Sequence, residues 1–207
     1  MPERLGRFRF WHLLVAAAII GAFVGIFLPG NDPDDPAPDD ISIEEEATKG
    51  LNRRATAQEQ VELTIVDRDR YDALIGEHRG KVVLVDFWAT WCLPCIEQLP
   101  HTIQLADRLG PGGLEVVTMS FDDPVEKQHV ADLLRSKQAG RLTNLISQYG
   151  GGPQSMTAFE IESGAVPHYK LYDRAGRLRH TFELDPLARE QFTPQEIDAA
   201  VEQLLAE

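Results

Sequence analysis

The sequence predicts an α/β sandwich with a central mixed β-sheet flanked by helices. Three observations carry that expectation. The run Val82 to Trp88 (VVLVDFW) is apolar on both faces, as a central strand covered by helices on each side must be. Strand-like and helix-like patterns alternate on either side of it, which is how parallel strands are joined. Near the C-terminus two strand-like segments meet at a tight turn and a capped helix follows, which adds an antiparallel pair to the sheet.

Val61, Leu63 and Ile65 alternate with polar neighbours as a half-buried strand does, and Tyr71, Leu74 and Ile75 fit one face of a short helix ended by Gly76 or Gly80. After the central strand comes a helix from about Cys92 to Leu109, with Ile96, Leu99, Ile103 and Leu105 or Ala106 inward. Gly110-Pro111-Gly112-Gly113 stops it. Leu114 to Phe121 is the next strand. Asp122, Asp123 and Pro124 then start a helix that runs to about Lys137, the acids facing the free N–H groups and the proline preset for the first turn. Leu142 to Ile146 is extended, Gly150-Gly151-Gly152-Pro153 is a breaker, and Gln154 to Phe159 form a helical turn. His168 to Asp173 and Leu178 to Leu184 flank Arg174-Ala175-Gly176-Arg177, a hairpin turn with glycine where positive φ is easy. Thr193-Pro194-Gln195-Glu196 is a capping box that opens a last helix to about Leu205.

A chain of 207 residues with 43% apolar content holds one domain with a real core plus appendages. The appendages are at the N-terminus. Phe10 to Leu28 is apolar apart from His12, follows Arg4, Arg7 and Arg9, and precedes no further basic residue until Lys49. At about 1.5 Å per residue this helix reaches roughly 28 Å, enough to span a hydrocarbon layer of ~30 Å, with Trp11 at an interfacial position. Residues 1–29 therefore form a transmembrane anchor or a signal segment, and the positive-inside rule leaves the N-terminus cytoplasmic and exports the rest. Asn31 to Glu46 carries eight acidic residues and three prolines, so 30–58 reads as an acidic, disordered tether ahead of a folded domain at 59–207. The net charge of -13 argues against a nucleic-acid partner, which requires concentrated Lys and Arg.

The chemistry sits where the central strand ends. Trp91-Cys92-Leu93-Pro94-Cys95 holds both cysteines of the chain, so they cannot form a structural disulfide framework. A helix N-terminus presents free N–H groups and partial positive charge, both of which favour a thiolate at Cys92. Lowering a thiol from ~8.5 to ~7 raises its ionised fraction at neutral pH about fifteenfold, more than the accompanying loss of nucleophilicity. Cys92 attacks and Cys95, nearly one turn along, resolves the mixed disulfide. Zinc is the competing use of C-x-x-C, but it requires four ligands and there is no second cysteine pair; His101, a possible third, lies on a different helix face. His78, His129 and His180 read as surface residues. Asp86 interrupts the apolar strand on the face of Leu84 and Trp88, so it should be enclosed beside the cysteine-bearing helix. Its pKa is then raised towards neutrality, as a proton acceptor for Cys95 needs. The competing reading pairs Asp86 with Lys81 or Arg79.

KVVLVDFWATWCLPC, then Pro100, then Gly164-AVPHYKLYDRAGRL agree in order and spacing with the thioredoxin fold, over residues 61–205. Within it the chain resembles the TlpA/ResA-like membrane-anchored thiol-disulfide oxidoreductases. The resemblance implies that Pro167 is a cis-proline facing the active-site disulfide and that the Val166 backbone pairs with an incoming peptide strand. Trp91 and Pro94 would border that substrate site. It implies no cofactor beyond the redox-active Cys92–Cys95 disulfide, and no metal. Many relatives carry a glutamate two residues before the kink proline; here that position is Gln98, which cannot titrate. Asp86 matches the buried acid of thioredoxin instead, with Glu97 a less well directed substitute. His168 stands where a threonine is common, either as an ordinary strand residue or as a substrate-site neighbour that tunes the charge of Cys92. Gly150 to Gly164 looks like the insertion this subgroup uses to shape partner docking.

The expected function is an extracytoplasmic, membrane-tethered thiol-disulfide oxidoreductase. Its partners would be protein thiols or disulfides of exported proteins, such as apocytochrome c or copper-site proteins, and its electrons would come from a membrane donor. Two alternatives stand beside it. A thiol peroxidase of the same fold would surround its cysteine with threonine and arginine, and Thr90 has no nearby Arg in the sequence. A non-catalytic binding module would merely retain the cysteines.

Overall fold

The computed structural model describes residues 60–184 and 191–207. The expected anchor and acidic tether lie outside the described residues. The elements run β1 (Leu63–Val66), α1 (Arg68–Glu77), β2 (Val82–Trp88), α2 (Leu93–Leu109), β3 (Leu114–Ser120), α3 (Lys127–Ser136), β4 (Thr143–Ser147), α4 (Pro153–Ala158), β5 (His168–Tyr172), β6 (Leu178–Glu183) and α5 (Pro194–Ala206). The strands make one sheet in the order β1-β4-β3-β2-β5-β6. The β1–β4, β4–β3 and β3–β2 pairs are parallel, and β2–β5 and β5–β6 antiparallel. This is the mixed sheet of a thioredoxin-like sandwich.

Every residue of β2 is buried, because it is paired on both edges and covered on both faces. Its alternation divides the core. Asp86 faces α2, whose Thr102 bonds it; Phe87 faces the other way, into a cluster with Tyr71 of α1, Phe121 and Phe159 at centroid distances of 5.6–6.1 Å. Such aromatic contacts add about 0.5–1.5 kcal/mol each beyond area burial. Helices α2 and α5 lie together, joined by His101 Nε2 and Asp198 Oδ1 at 2.7 Å.

Local signals set the element ends. Asp67 caps α1 by accepting from Arg70 N–H (2.8 Å), and Thr193 and Glu196 form the expected reciprocal capping box on α5. Gly113 ends the turn after α2 at φ 103°, and Gly176 turns the β5–β6 hairpin at φ 77°. The helix expected from Asp122 begins instead as a short 3-10 turn, Pro124–Glu126, capped by Asp123, before α3 proper.

Two packing expectations are corrected. Ile65 is 46% exposed and Leu63 and Val66 are the buried residues of β1. This strand is a four-residue edge buried at its two ends and exposed at its two middle residues, so strict alternation does not hold over it. Ile96 is only half-buried; the inward stripe of α2 is Cys95, Leu99, Thr102, Ile103 and Leu105.

Candidate active site

Strand β2 ends at Trp88, Ala89-Thr90-Trp91 turn the chain, and Cys92 is the N-cap of α2 in extended conformation. Cys92 N–H bonds Ala89 O at 3.1 Å, which closes the turn. The Cys95 N–H donates to Cys92 Sγ at 3.2 Å, so the sulfur occupies the position that a capping oxygen takes at other helix starts. Pro94 in the first turn removes an N–H that no carbonyl could have accepted. Cys92 and Cys95 are joined as a disulfide. Cys95 lies one turn inside with 1% exposure, while Trp91 (59%) and Leu93 (64%) stand exposed on either side of Cys92.

The Val166–Pro167 peptide bond is cis, and Val166 O lies 3.6 Å from Cys92 Sγ. A disulfide sulfur carries no proton, so in this form the approach is a contact and not a hydrogen bond. The turn before Cys92 is clamped from β3. Buried Asp122 accepts from Thr90 N–H (3.0 Å), from the Thr90 hydroxyl (2.5 Å) and from the Ser120 hydroxyl (2.6 Å). Trp91 rests on the Gly150 to Gly164 segment: a Cβ on Gly151 would meet Phe121 O at 2.8 Å and Trp91 Nε1 at 3.4 Å, so only glycine permits that approach. The segment borders an open cavity of about 650 Å³, with Met156 and Ile161 apolar and Glu160 and Glu162 acidic.

Asp86 is 1% exposed. Burial pushes its carboxyl up to about 7, against smaller opposing contributions from the Thr102 and Tyr169 hydroxyls. Thr102 Oγ1 donates to Oδ2 at 2.7 Å, and Oδ1 has no hydrogen-bond partner among the described residues. Lys81, one candidate counter-ion, pairs with Glu115 instead at 2.8 Å. Cys95, Leu99 and Thr102 share one face of α2 at i, i+4 and i+7, so the acid lies beneath the helix face that carries Cys95. Gln98 accepts from the Tyr169 hydroxyl at 3.1 Å, and Glu97 is exposed.

His168 is corrected. It is fully enclosed beside Phe87, at 5.7 Å between ring centroids, on the face of β2 opposite Asp86. Burial, with the nearby Lys170 charge adding to it, lowers its pKa to about 4. The ring is neutral at pH 7, carries no charge with which to tune Cys92, and is closed to a substrate. His101, the possible third ligand of the sequence reading, is paired with Asp198 Oδ1 at 2.7 Å. Thr102, Asp122, Tyr169 and Gly151 carry no chemical signature in the sequence; only the pairing of distant segments brings them to the site.

A buried acid under a helix that starts on a C-x-x-C disulfide, with a cis-proline against the outer sulfur, is the site of a thioredoxin-like redox protein. Residues 60–187 match the AhpC/TSA family, more than half of the chain, and the protein belongs to that family. It is similar to the thiol-disulfide oxidoreductase ResA of Geobacillus thermodenitrificans, 27% identical over 109 residues, which are 51% of this chain and 63% of that relative. The chain thus spans a little under two thirds of that relative's length. It is also similar to the thiol:disulfide interchange protein HelX of Rhodobacter capsulatus, 28% identical over 173 residues, 82% of each chain. A solved thiol:disulfide interchange protein of the thioredoxin family from Chlorobium tepidum superposes with a TM-score of 0.47 at 19% identity, covering 63% of this chain and 83% of that one.

Proposed function

We propose that the protein is a thiol-disulfide oxidoreductase, tethered to the membrane by residues 1–29, that reduces disulfides of exported partner proteins on the extracytoplasmic side. The observation that carries this is the Cys95 N–H aimed at Cys92 Sγ at the start of α2 (3.2 Å), a ready-made partner for a thiolate. In the reduced protein the Cys92 thiolate attacks a partner disulfide, forming a mixed disulfide and releasing one partner thiolate. Cys95 then gives its proton to Asp86 and its sulfur attacks Cys92 Sγ, which expels the second partner cysteine. Two electrons pass to the partner, and Cys92–Cys95 is left oxidised, as in the structure. A membrane protein that carries electrons outward would restore the dithiol. Partners of the kind implied by the resemblance are apocytochrome c and copper-site proteins, whose cysteines must stay reduced in an oxidising compartment. The exposed Trp91, Leu93 and Pro94 and the Val166 backbone border the space where such a chain would lie.

Thiol peroxidase chemistry is less well supported. The hydroxyl and N–H of Thr90, which that reaction would use beside the cysteine, are both committed to Asp122. Trapping tests the proposal. Cys95→Ser should accumulate covalent complexes through Cys92 in cells, and mass spectrometry of those adducts names the partners. No adducts, or rapid hydrogen peroxide consumption by the reduced protein, would defeat it.

A further inference from the structure

Asp122 is as deeply buried as Asp86, at 1% exposure, and the exchange chemistry gives it no proton to carry. An enclosed carboxylate is costly unless it is hydrogen-bonded. Oδ1 accepts from the Thr90 hydroxyl (2.5 Å), and Oδ2 from the Thr90 N–H (3.0 Å) and the Ser120 hydroxyl (2.6 Å). Its own N–H returns to Ser120 Oγ at 3.1 Å, and Phe121 beside it is fully buried, with its ring centroid 5.6 Å from those of Phe87 and Phe159. The acid therefore stands on a fixed base. Ala89 O and Cys92 N–H, at 3.1 Å, close a β-turn with Thr90 and Trp91 at its centre. That bond uses neither polar hydrogen of Thr90, and both go to Asp122. Beyond the paired strands Phe121 N–H still reaches Trp88 O at 2.8 Å, and one residue further Asp122 continues the attachment with its side chain. In the oxidised form Cys92 is also tied to Cys95 through sulfur. Opening the disulfide removes that tie, and the turn is left to hold Cys92 at the helix start.

We propose that Asp122 is a positioning residue for Cys92: by holding both polar hydrogens of Thr90 it keeps the turn in place after the disulfide opens, so that the freed sulfur stays on the Cys95 N–H. The inference rests on the thiolate role given to Cys92 under the proposed function. The clamp stabilises the reduced protein more than the oxidised one and makes Cys92 more acidic, because it preserves the thiolate's hydrogen-bond donor. The charge of Asp122 by itself does the opposite, since a negative group beside a thiol disfavours the thiolate. The two effects differ in sign, so one measurement tells them apart. The other ionisable groups on the elements around Cys92 are Asp86 on β2, Glu97 on α2, Asp123 after β3, Glu160 and Glu162 in the segment behind Trp91, and the neutral His168 on β5. The variants below leave all of them in place.

Asp122→Ala removes both clamp and charge, Thr90→Val removes one bond of the clamp and keeps the charge, and Thr90→Ser keeps both. Each full chain is equilibrated with glutathione and glutathione disulfide, and the Cys92 thiol of the reduced protein is titrated by cysteine carbon NMR. Asp122→Ala should move the exchange equilibrium about tenfold towards the Cys92–Cys95 disulfide, about 30 mV, and raise the Cys92 midpoint. Thr90→Val should move the equilibrium about two- to threefold in the same direction, again with a raised midpoint, and Thr90→Ser should match the wild type. Thermal unfolding of both redox forms closes the cycle, and the reduced form of Thr90→Val should lose more stability than the oxidised form. Equal losses in the two forms, with equilibrium and midpoint unmoved, would reduce Asp122 to a structural residue and overturn the proposal. A lowered midpoint in Asp122→Ala would overturn it too, since only the charge would then act on the sulfur. If Asp122→Ala does not fold, the two Thr90 variants decide the matter. These measurements need no partner protein, so failure of Cys95→Ser to trap one counts against the oxidoreductase reading and leaves the clamp to be judged on its own.

Discussion

Two adjacent pairs of residues on β2 and β5 face opposite sides of one sheet and make a natural comparison. Asp86 and Tyr169 face α2; Phe87 and His168 face the aromatic cluster. Both pairs hold an enclosed titratable group, and desolvation shifts both towards their neutral forms. For an acid that means upward, to about 7; for a base it means downward, to about 4. The same physical cause therefore puts Asp86 at the pH where proton transfer to and from a thiol occurs and takes His168 out of that range altogether. Their partners differ as well. Asp86 has hydroxyls within reach, whereas among the described residues both ring nitrogens of His168 lack a hydrogen bond, and the Glu183 carboxylate lies 3.8 Å from Nδ1.

The largest test of the comparison is the pH dependence of stability. Asp86 is raised from 3.8 to about 7, so the folded state binds the extra proton; its contribution is full below pH 4 and is lost as pH rises to about 7, on the order of 4 kcal/mol in all. His168 is lowered from 6.5 to about 4, so its contribution is full above pH 6.5 and is lost as pH falls to about 4, on the order of 3 kcal/mol. The two slopes oppose each other between pH 4 and 6.5. Denaturant unfolding across that range should show stability rising with pH in Asp86→Asn and falling with pH in His168→Phe. Parallel curves for both variants and the wild type would break the comparison.

A second test is kinetic. Asp86→Asn should slow resolution of a Cys92 mixed disulfide about 10²-fold at pH 7, the lower end of what a positioned proton acceptor supplies, with attack by Cys92 little changed. Stopped-flow measurement of the two steps separates them, and equal slowing of both would remove the acid from the mechanism. The smallest effect belongs to the other face. His168→Phe removes an unsatisfied buried polar group and should leave both rate constants unchanged, while at pH 5 it stabilises the fold by about 1–2 kcal/mol beyond the change in pH dependence. A tenfold loss of exchange in that variant would restore His168 to the site.

Much of this was legible in one dimension. The doubly apolar β2, the helix that begins at Cys92, the capping box at Thr193 and the hairpin at Gly176 are local patterns, and each formed where its pattern lies. Enclosure of Asp86 followed from its place within an apolar strand. His168 did not follow, because the alternation of β5 leaves open which of its faces meets α2. A slip of one residue against β2 would move His168 to the α2 side of the sheet and Tyr169 to the other.

The sequence by itself determined the element types, the helix start that holds the cysteines and the desolvation of Asp86, since caps and hydrophobic period depend on residues a few positions apart. Tertiary structure alone decided that Thr102 and Tyr169 flank that acid, that Asp122 clamps Thr90, that Gly151 admits Trp91 and that His168 is shut away. Those contacts join segments 16 to 83 residues apart, set by strand register and helix placement, which no local pattern encodes.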